Sequence, residues 1–418
     1  MNSRKFLAAS LLMASASFAG GIYTNTNQSA AFIRDMARDA TTENDAAYSN
    51  PAGTGFMNDG WHLSLNTQMF FQSRTVKTSF VNGENSTYEG ETFVPTMPSL
   101  LATYKTGNLA VSGGFTVGGG GGSVEFDDGI PTFDALGLSL TRAMGMMPPK
   151  TLSAMDVTPS LEASMYTFGL TLGAAYRFIP MVSGYVGARY NYTTNNYSAE
   201  ADLTKLGMGK MELDVEQTGW GITPIFGLSF QYKGLTVGTK FEYNTSIEVE
   251  NDTKKMPDAM KSSLPAFADG AKNNADLPSY FAFGVQYAIL NNLRAAVSYH
   301  HFYDYWADYS GDEESTLGGT NEYLFGAEWD IIPSLTVSGG VQLTRFALSD
   351  EFQSDMNFNT DANTFGGGVA YRINERIRVN LAYFYTYYMG YKNDKEAYGT
   401  NKYDRENQAI ALGADLDF

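Results

Sequence analysis

The chain contains no cysteine among its 418 residues and only three histidines. Without cysteine it has no disulfides and no thiolate nucleophile. His62, His300 and His301 do not have the spacing of a metal site, and no Gly-x-Ser-x-Gly nucleophile elbow is present. These absences argue against an enzyme, and we predict neither a cofactor nor a metal site.

Basic residues and long apolar runs are also scarce. The chain has 28 Lys and Arg against 45 Asp and Glu, for a net charge of −17, which excludes a nucleic-acid-binding surface. Beyond the N-terminus no stretch of about 18 uninterrupted apolar residues occurs, so no transmembrane helix is predicted. The mean hydropathy of −0.24 is compatible with a soluble protein, but also with a membrane β-barrel, whose strands alternate between lipid and lumen.

The first nineteen residues predict a secretory signal peptide. Arg4 and Lys5 form a positive n-region, Phe6 to Met13 is apolar, and small residues end at Ala19. We expect cleavage after Ala19, with Ala16 as the alternative, and therefore export.

What the chain does have is aromatic residues, glycine and alternation. It contains 27 Tyr, 27 Phe and 43 Gly. From Trp61 onward fourteen segments alternate with period two, which predicts strands. The predicted cores of these strands are 61–71, 100–104, 109–117, 166–178, 186–192, 220–232, 235–243, 281–287, 293–299, 323–331, 335–343, 365–373, 377–387 and 410–418.

The connections between these segments alternate in length. Six hairpin-sized links, such as Lys233-Gly234, follow even-numbered segments, whereas seven long polar loops follow odd-numbered ones. A soluble sandwich has no reason to sort its loops in this way. The pattern predicts an all-β fold, a 14-stranded antiparallel transmembrane β-barrel with short periplasmic turns and long extracellular loops.

Residues 20–60 precede the first strand and are too few for a domain. Apolar residues at helical spacing in Ala30–Ala40 predict a short amphipathic helix. Fourteen strands enclose a lumen wider than side chains alone fill, so we place this segment inside the barrel as a hatch. The domains are then 1–19 (signal peptide), 20–60 (hatch) and 61–418 (barrel).

The hatch and the turn after it resemble a known family. Asn50-Pro51-Ala52 closes the hatch just before the first strand, and Arg38-Asp39-Ala40 and Asn44-Asp45-Ala46-Ala47 precede it. With the small-residue start at Gly20–Asn25 and the terminal Phe418, the chain resembles the outer-membrane transporters of long-chain fatty acids and aromatic hydrocarbons (FadL/TodX type).

The resemblance implies passive uptake of a hydrophobic small molecule, fatty acid-like or aromatic. Such a molecule is captured by apolar extracellular loops, passed to a lumen site, and released sideways when the hatch moves. It also implies that outer-membrane assembly machinery reads Phe418, that outer-membrane lipid surrounds the barrel, and that the protein is a monomer. The implied hatch and gate residues are Gly20, Ile22, Tyr23, Asn50, Pro51 and Ala52.

Several residues are candidates for ligand contacts, each with an alternative reading. Two apolar loop clusters suit capture, although they also suit packing of the loops on themselves. Arg189 and Lys240 face the lumen near mid-barrel and suit a carboxylate, although lumen charges more often pair with one another and with the hatch. The loop candidates are Phe133, Leu136, Leu138, Leu140, Met144, Met146, Met147, Leu264 and Phe267.

Gly113 and Gly114 in the third strand weaken its ladder and permit a bend. The resemblance implies that this bend is a kink that opens the wall; the alternative is a flexible exit from the strand into the loop. Two functions stay open at this point. The first is a hatch-plugged channel for hydrophobic compounds; the second is a general porin or a structural or adhesive surface barrel.

Overall fold

A computed structural model gives the fold of the chain. It describes residues 27–78, 86–126, 130–131, 159–204, 209–256, 261, 265–308, 318–350, 353, 355, 358–396 and 399–418. The predicted signal peptide and the start of the hatch, including Gly20, Ile22 and Tyr23, lie outside these residues. In the part of the chain that the structure describes, no helix has the length and apolarity needed to cross a membrane.

The described residues form seventeen strands, and fourteen of them close into an antiparallel barrel. The wall strands are β1 (Gly60–Thr78), β2 (Ser86–Thr106), β3 (Leu109–Phe126), β4 (Pro159–Ile179), β5 (Val182–Leu203), β6 (Gly209–Tyr232), β7 (Leu235–Glu242), β10 (Ser279–Leu290), β11 (Leu293–Tyr303), β12 (Thr320–Ile332), β13 (Leu335–Arg345), β14 (Ala362–Asn374), β15 (Ile377–Tyr388) and β17 (Gly399–Asp417). Three short strands, β8 (Glu248–Lys255), β9 (Lys272–Asn274) and β16 (Tyr391–Glu396), extend the wall on the long-loop side. Closure is made by β1 and β17, paired from His62–Asp417 to Thr78–Asn401.

The apolar face of each strand points outward. In β4, Leu170 and Leu172 are 61% and 67% exposed, whereas Thr167 and Ala175 are fully buried on the lumen side. This orientation is the reverse of a soluble sheet and is typical of a wall surrounded by lipid. Aromatic side chains flank the band, as at Trp61 and Tyr104, whose ring centroids lie 4.8 Å apart. Such a band is that of a barrel whose strands cross a membrane.

The six predicted short links are confirmed as two-residue turns. At Lys233-Gly234 both residues have positive φ, 46° and 81°, which is the type I′ geometry that matches the twist of a hairpin. The chain end lies on the same side, where the amide of Trp61 donates to the carbonyl of Phe418 over 2.9 Å.

The strands β5 and β6 are longer than the sequence predicts because their polarity reverses partway along. Near the turn, outward Val186 and Tyr190 are exposed and apolar, while inward Asn191 is polar and buried. Beyond residue 195 the outward positions become polar, and inward Tyr197 and Leu213 are apolar and buried. The sheet therefore continues past the lipid into water, where apolar side chains turn inward.

The hatch crosses the lumen with little regular structure. It contains helix α1 (Ala30–Arg34), helix α2 (Ala46–Ser49) and a 3-10 helix (Pro51–Phe56). The predicted helix over Ala30–Ala40 is shorter than expected because Asp35 adopts extended backbone angles. Met36 and Ala37 are nevertheless buried, against the wall.

Wall glycines let the hatch backbone approach closely. A Cβ added at Gly340 would lie 2.7 Å from the amide nitrogen of Met36, and one at Gly366 would lie 2.3 Å from the carbonyl oxygen of Ile33. Only a residue without a side chain allows this contact.

Candidate functional site

One side of the hatch is held by a dense set of buried ion pairs. Arg34 is fully buried, pairs with Glu328 of β12, and donates to Ser338 at 2.7 Å. Arg38 binds Asp45 through two contacts of 2.6 and 2.9 Å. We call this set the hatch ion network; its members are Arg34, Arg38, Glu43, Asp45, Arg294, Glu328, Arg378 and Asp415.

The network fixes the ionisation of hatch carboxylates. Burial opposes the charge on Glu43, but Arg378, Arg38 and Arg294 hold its pKa well below the usual range. Arg378 reaches Glu43 with two contacts of 2.8 and 3.0 Å. Asp35 behaves differently: burial, reinforced by the nearby Glu328, raises its pKa to about 7.

Above the network, aromatic rings line a space that we call the lumen chamber. The Lys240 ammonium lies 4.5 Å from the ring centre of Tyr48 and 5.1 Å from that of Tyr280. Tyr280 packs on Phe302 with ring centroids 4.7 Å apart. Two cavities of about 20 and 40 Å³ meet these rings. The chamber residues are Tyr48, Arg189, Lys240, Glu242, Tyr280, His300 and Phe302.

The predicted ligand cations Arg189 and Lys240 both lie in this chamber and share one carboxylate. Arg189 donates to Glu242 over 2.7 Å, and the Lys240 ammonium lies 3.0 Å from the same carboxylate oxygen. Lys240 also donates to the carbonyl of Tyr48 over 2.9 Å. Their contact with a ligand stays a prediction.

A second charged group borders the chamber. His300 lies between two carboxylates, with its Nε2 2.7 Å from Asp39 and its Nδ1 2.8 Å from Glu322. Asp39 belongs to the hatch and Glu322 to β12, so the imidazole joins plug and wall. The described residues contain no group of three His, Asp or Glu placed to hold a metal ion.

The wall beside the chamber is incompletely paired. The β2–β3 ladder ends at Leu100–Phe115 and resumes at Glu91–Glu125, and β2 carries Pro95 and Pro98, which lack an N–H for a ladder. We call this stretch the β2–β3 gap. Gly118 of the gap lines the larger cavity, so chamber and gap adjoin.

A hatch side chain takes the place of the missing strand partner. The Gln28 amide donates to the carbonyl of Val117 at 2.6 Å and accepts from its N–H at 3.1 Å. Both groups are buried. The neighbouring hatch residues hold β1, where the amide of Ala30 donates to Asn66 at 3.0 Å.

No family model matches the chain, and no curated protein sequence matches it. Solved structures do. A FadL homologue of Pseudomonas aeruginosa is 14% identical with a TM-score of 0.69, covering 95% of this chain and 100% of that one. The Pseudomonas putida toluene transporter TodX is 12% identical with a TM-score of 0.62, covering 95% and 100%. The Ralstonia pickettii toluene transporter TbuX is 16% identical with a TM-score of 0.55, covering 90% and 94%.

The chain has the FadL-type fold. The matched structures named above are transporters or their homologues, not enzymes. The FadL-type fold agrees with the predicted 14-stranded barrel, and the small helical segment inside it is consistent with the predicted hatch.

In this FadL-type barrel the Asn50-Pro51-Ala52 turn is locked to both hatch and wall. Asn50 is fully buried and donates to the carbonyl of Thr41 at 2.9 Å and to Ser229 of β6 at 3.2 Å. Pro51 begins the 3-10 helix, where the Thr54 hydroxyl donates to its carbonyl at 2.7 Å. Ala52 packs against small residues of β3 and β4.

The remaining predicted residues are placed as follows. Gly113 and Gly114 lie in the paired part of β3, and the β2–β3 gap starts two residues beyond Gly114. Phe267 is buried against Tyr197, edge to face, with centroids 5.7 Å apart. The candidates that lie outside the described residues are Phe133, Leu136, Leu138, Leu140, Met144, Met146, Met147 and Leu264.

Sequence reasoning missed Gln28, Tyr48 and Tyr280. The signal for Tyr280 was its place at the start of an alternating segment. Gln28 and Tyr48 carry no such signal, because a hatch side chain acquires its partner only when the hatch is folded against the wall.

Proposed function

We propose that the protein is an outer-membrane channel for passive uptake of hydrophobic compounds, with the lumen chamber as its internal site and the β2–β3 gap as its exit. One observation carries this proposal: an aromatic-lined chamber adjoins an unpaired stretch of wall, and a hatch side chain stands between them. The neighbours named as toluene transporters support the same class of cargo.

The physical need explains the arrangement. A water-filled pore offers an apolar molecule no favourable path, since such a molecule gains free energy only where it leaves water. A route from an aromatic chamber through the wall into lipid avoids hydrating the molecule again. Release then requires that Gln28 leave Val117 and that the hatch move.

A general porin is the weaker alternative. The cavities of about 20 and 40 Å³ accept a few waters at most. A single aromatic ring needs about 150 Å³. The chamber must therefore widen before it takes a ligand, which favours a gated channel over a permanently open pore. Tyr48, on the hatch, lines both cavities, so hatch movement enlarges the chamber directly.

An engineered disulfide across the β2–β3 gap tests the exit. Because the chain has no cysteine of its own, the introduced pair is the only one that can be oxidised. Ser99 and Thr116 form the first position beyond the last β2–β3 pair on the chamber side. With Ser99→Cys and Thr116→Cys, we expect oxidation to lower uptake of a radiolabelled hydrophobic compound by cells several-fold, with recovery after reduction.

The matched control places the pair inside the ladder, at Thr103→Cys and Ser112→Cys, which face each other across β2 and β3. Its oxidation should leave uptake unchanged. Equal uptake by the clamped and reduced forms of the gap variant would refute lateral exit, and absence of uptake above cells without the protein would refute the channel itself.

A further inference from the structure

We infer that the lumen chamber takes uncharged hydrophobic molecules in preference to carboxylates, and that Glu242 is the residue that sets this preference. The inference rests on the proposed function and names the class of ligand that the chamber accepts. It follows from the charges around the chamber, which cancel, and from the rings that form its walls.

The first group of charges consists of Arg189, Lys240 and Glu242, and it has an excess of one positive charge. Arg189 and Lys240 are both buried and both contact a single carboxylate, that of Glu242. Neither cation is open to a ligand. The Lys240 ammonium has a carboxylate, a backbone carbonyl and two ring faces around it, and the Arg189 guanidinium also faces the ring of Tyr48 at 5.6 Å.

The second group consists of Asp39, His300 and Glu322, and it has an excess of one negative charge. A neutral imidazole can donate from only one nitrogen, yet both nitrogens of His300 lie within hydrogen-bond distance of carboxylate oxygens. One additional proton is therefore shared by Asp39, His300 and Glu322. Wherever it resides, the three side chains together carry a charge of about −1.

The two groups border the same space, so their charges balance. Lys240, Asp39, His300 and Glu322 line one cavity. The other cation on that cavity, Arg38, is bound by Asp45 and Glu43. A carboxylate entering the chamber would add an uncompensated buried charge, which is strongly unfavourable.

The chamber walls act in the same direction. Aromatic faces carry partial negative charge and attract cations or apolar groups rather than anions. Tyr48, Tyr280 and Phe302 supply these faces. A neutral ring or chain that displaces water from them loses no hydrogen bond.

Toluene and benzoate test this inference, because they are close in size and differ in charge. Binding of each to full-length protein in nanodiscs is measured by titration calorimetry at pH 8, with empty nanodiscs as the blank. We expect the natural protein to bind toluene at least about tenfold more tightly than benzoate. Tighter binding of benzoate would overturn the inference while leaving the channel proposal intact.

Glu242→Gln isolates the responsible residue, since it leaves Arg189 and Lys240 without their carboxylate. Its affinity for benzoate should rise about 10- to 100-fold. The double variant Lys240→Met with Glu242→Gln restores the balance and should restore the preference for toluene. Glu200→Gln, on the exposed end of β5, is the matched control and should bind both probes as the natural protein does.

Unchanged benzoate affinity in Glu242→Gln would show that Glu242 does not set the preference for uncharged molecules. If that variant fails to fold, the preference of the natural protein decides the ligand class. If neither probe binds and cells take up no hydrophobic compound, the proposed function fails with the inference.

Discussion

The hatch meets the two sides of the barrel in different ways. Toward β11–β17 it is fixed by the hatch ion network, in which one buried carboxylate, that of Glu328, contacts three arginines. Toward β3 it is fixed at the gap by the side-chain amide of Gln28, which binds both the N–H and the carbonyl of Val117. The plug is therefore not held uniformly, and we expect it to pivot on the charged side and to release at the gap.

Removing the central carboxylate of the charged side should have the largest effect. Glu328→Gln leaves Arg34, Arg38 and Arg294 short of a buried partner, at a cost of about 3–5 kcal/mol. We expect the hatch to leave its seat, so that single-channel recordings show a steadily conducting pore. Glu200→Gln, which removes an exposed carboxylate, should stay as closed as the natural protein, and a closed Glu328→Gln channel would contradict the pivot.

A steric change on the same side should have the next largest effect. Gly340→Val places a side chain against the backbone of Met36, at a cost of about 1–3 kcal/mol. The hatch should become more sensitive to limited proteolysis. The neighbouring Gly339→Val is the matched control, because a Cβ there meets nothing closer than 3.7 Å, and it should be cleaved at the natural rate.

Weakening the gap side should have a smaller and different effect. Gln28→Ala leaves the peptide groups of Val117 without their hatch partner, at about 1–3 kcal/mol. Uptake of a hydrophobic compound should rise while conductance stays low, because the ion network still holds the plug. Gln28→Asn, whose side chain is one methylene shorter, should behave like Gln28→Ala. Uptake equal to that of the natural protein in both variants would show that Gln28 does not hold the gap closed.

The smallest expected effect is a pH dependence from Asp35. Its pKa is raised from 3.8 to about 7, so the seated hatch favours the protonated acid. Seating is therefore strongest at low pH, weakens as the pH rises toward 7, and stays weak above it.

Asp35→Asn should remove this penalty, so it should raise the melting temperature more at about pH 8.5 than at about pH 5. The control is Asp59→Asn, because Asp59 is exposed and its pKa is lowered, so its effect should not change over that range. A Tm difference independent of pH in Asp35→Asn would contradict the assignment.

The sequence predicts the wall better than the contacts inside it. Alternation and the parity of loop lengths are local signals, and they identify the barrel and its turns. At Lys233-Gly234 the glycine between two alternating segments is enough to predict a turn. Strand ends were predicted less well. In β5 and β6 the apolar residues change from the outer to the inner face partway along, so a search for a single apolar face ends these strands too early.

The site depends on pairings between distant parts of the chain. Arg189 and Lys240 could be placed in the lumen from strand parity, but not on the same carboxylate, because that requires the arrangement of β5 beside β6 and β7. Gln28 meets Val117 across 89 residues of sequence. No periodicity encodes such a contact.

The reversal of polarity in β5 and β6 also marks the height at which the lipid-facing band ends. Where Tyr192 and Trp220 are the last outward aromatic residues, the lipid ends; from there to Leu203 the hairpin rises about 3.3 Å per residue into the surrounding water. This part of the wall, paired with β4 and β8 on either side, is polar on its outer face. It offers a place where an antibody or a grafted peptide can be attached to the protein without touching either its lipid belt or its plug.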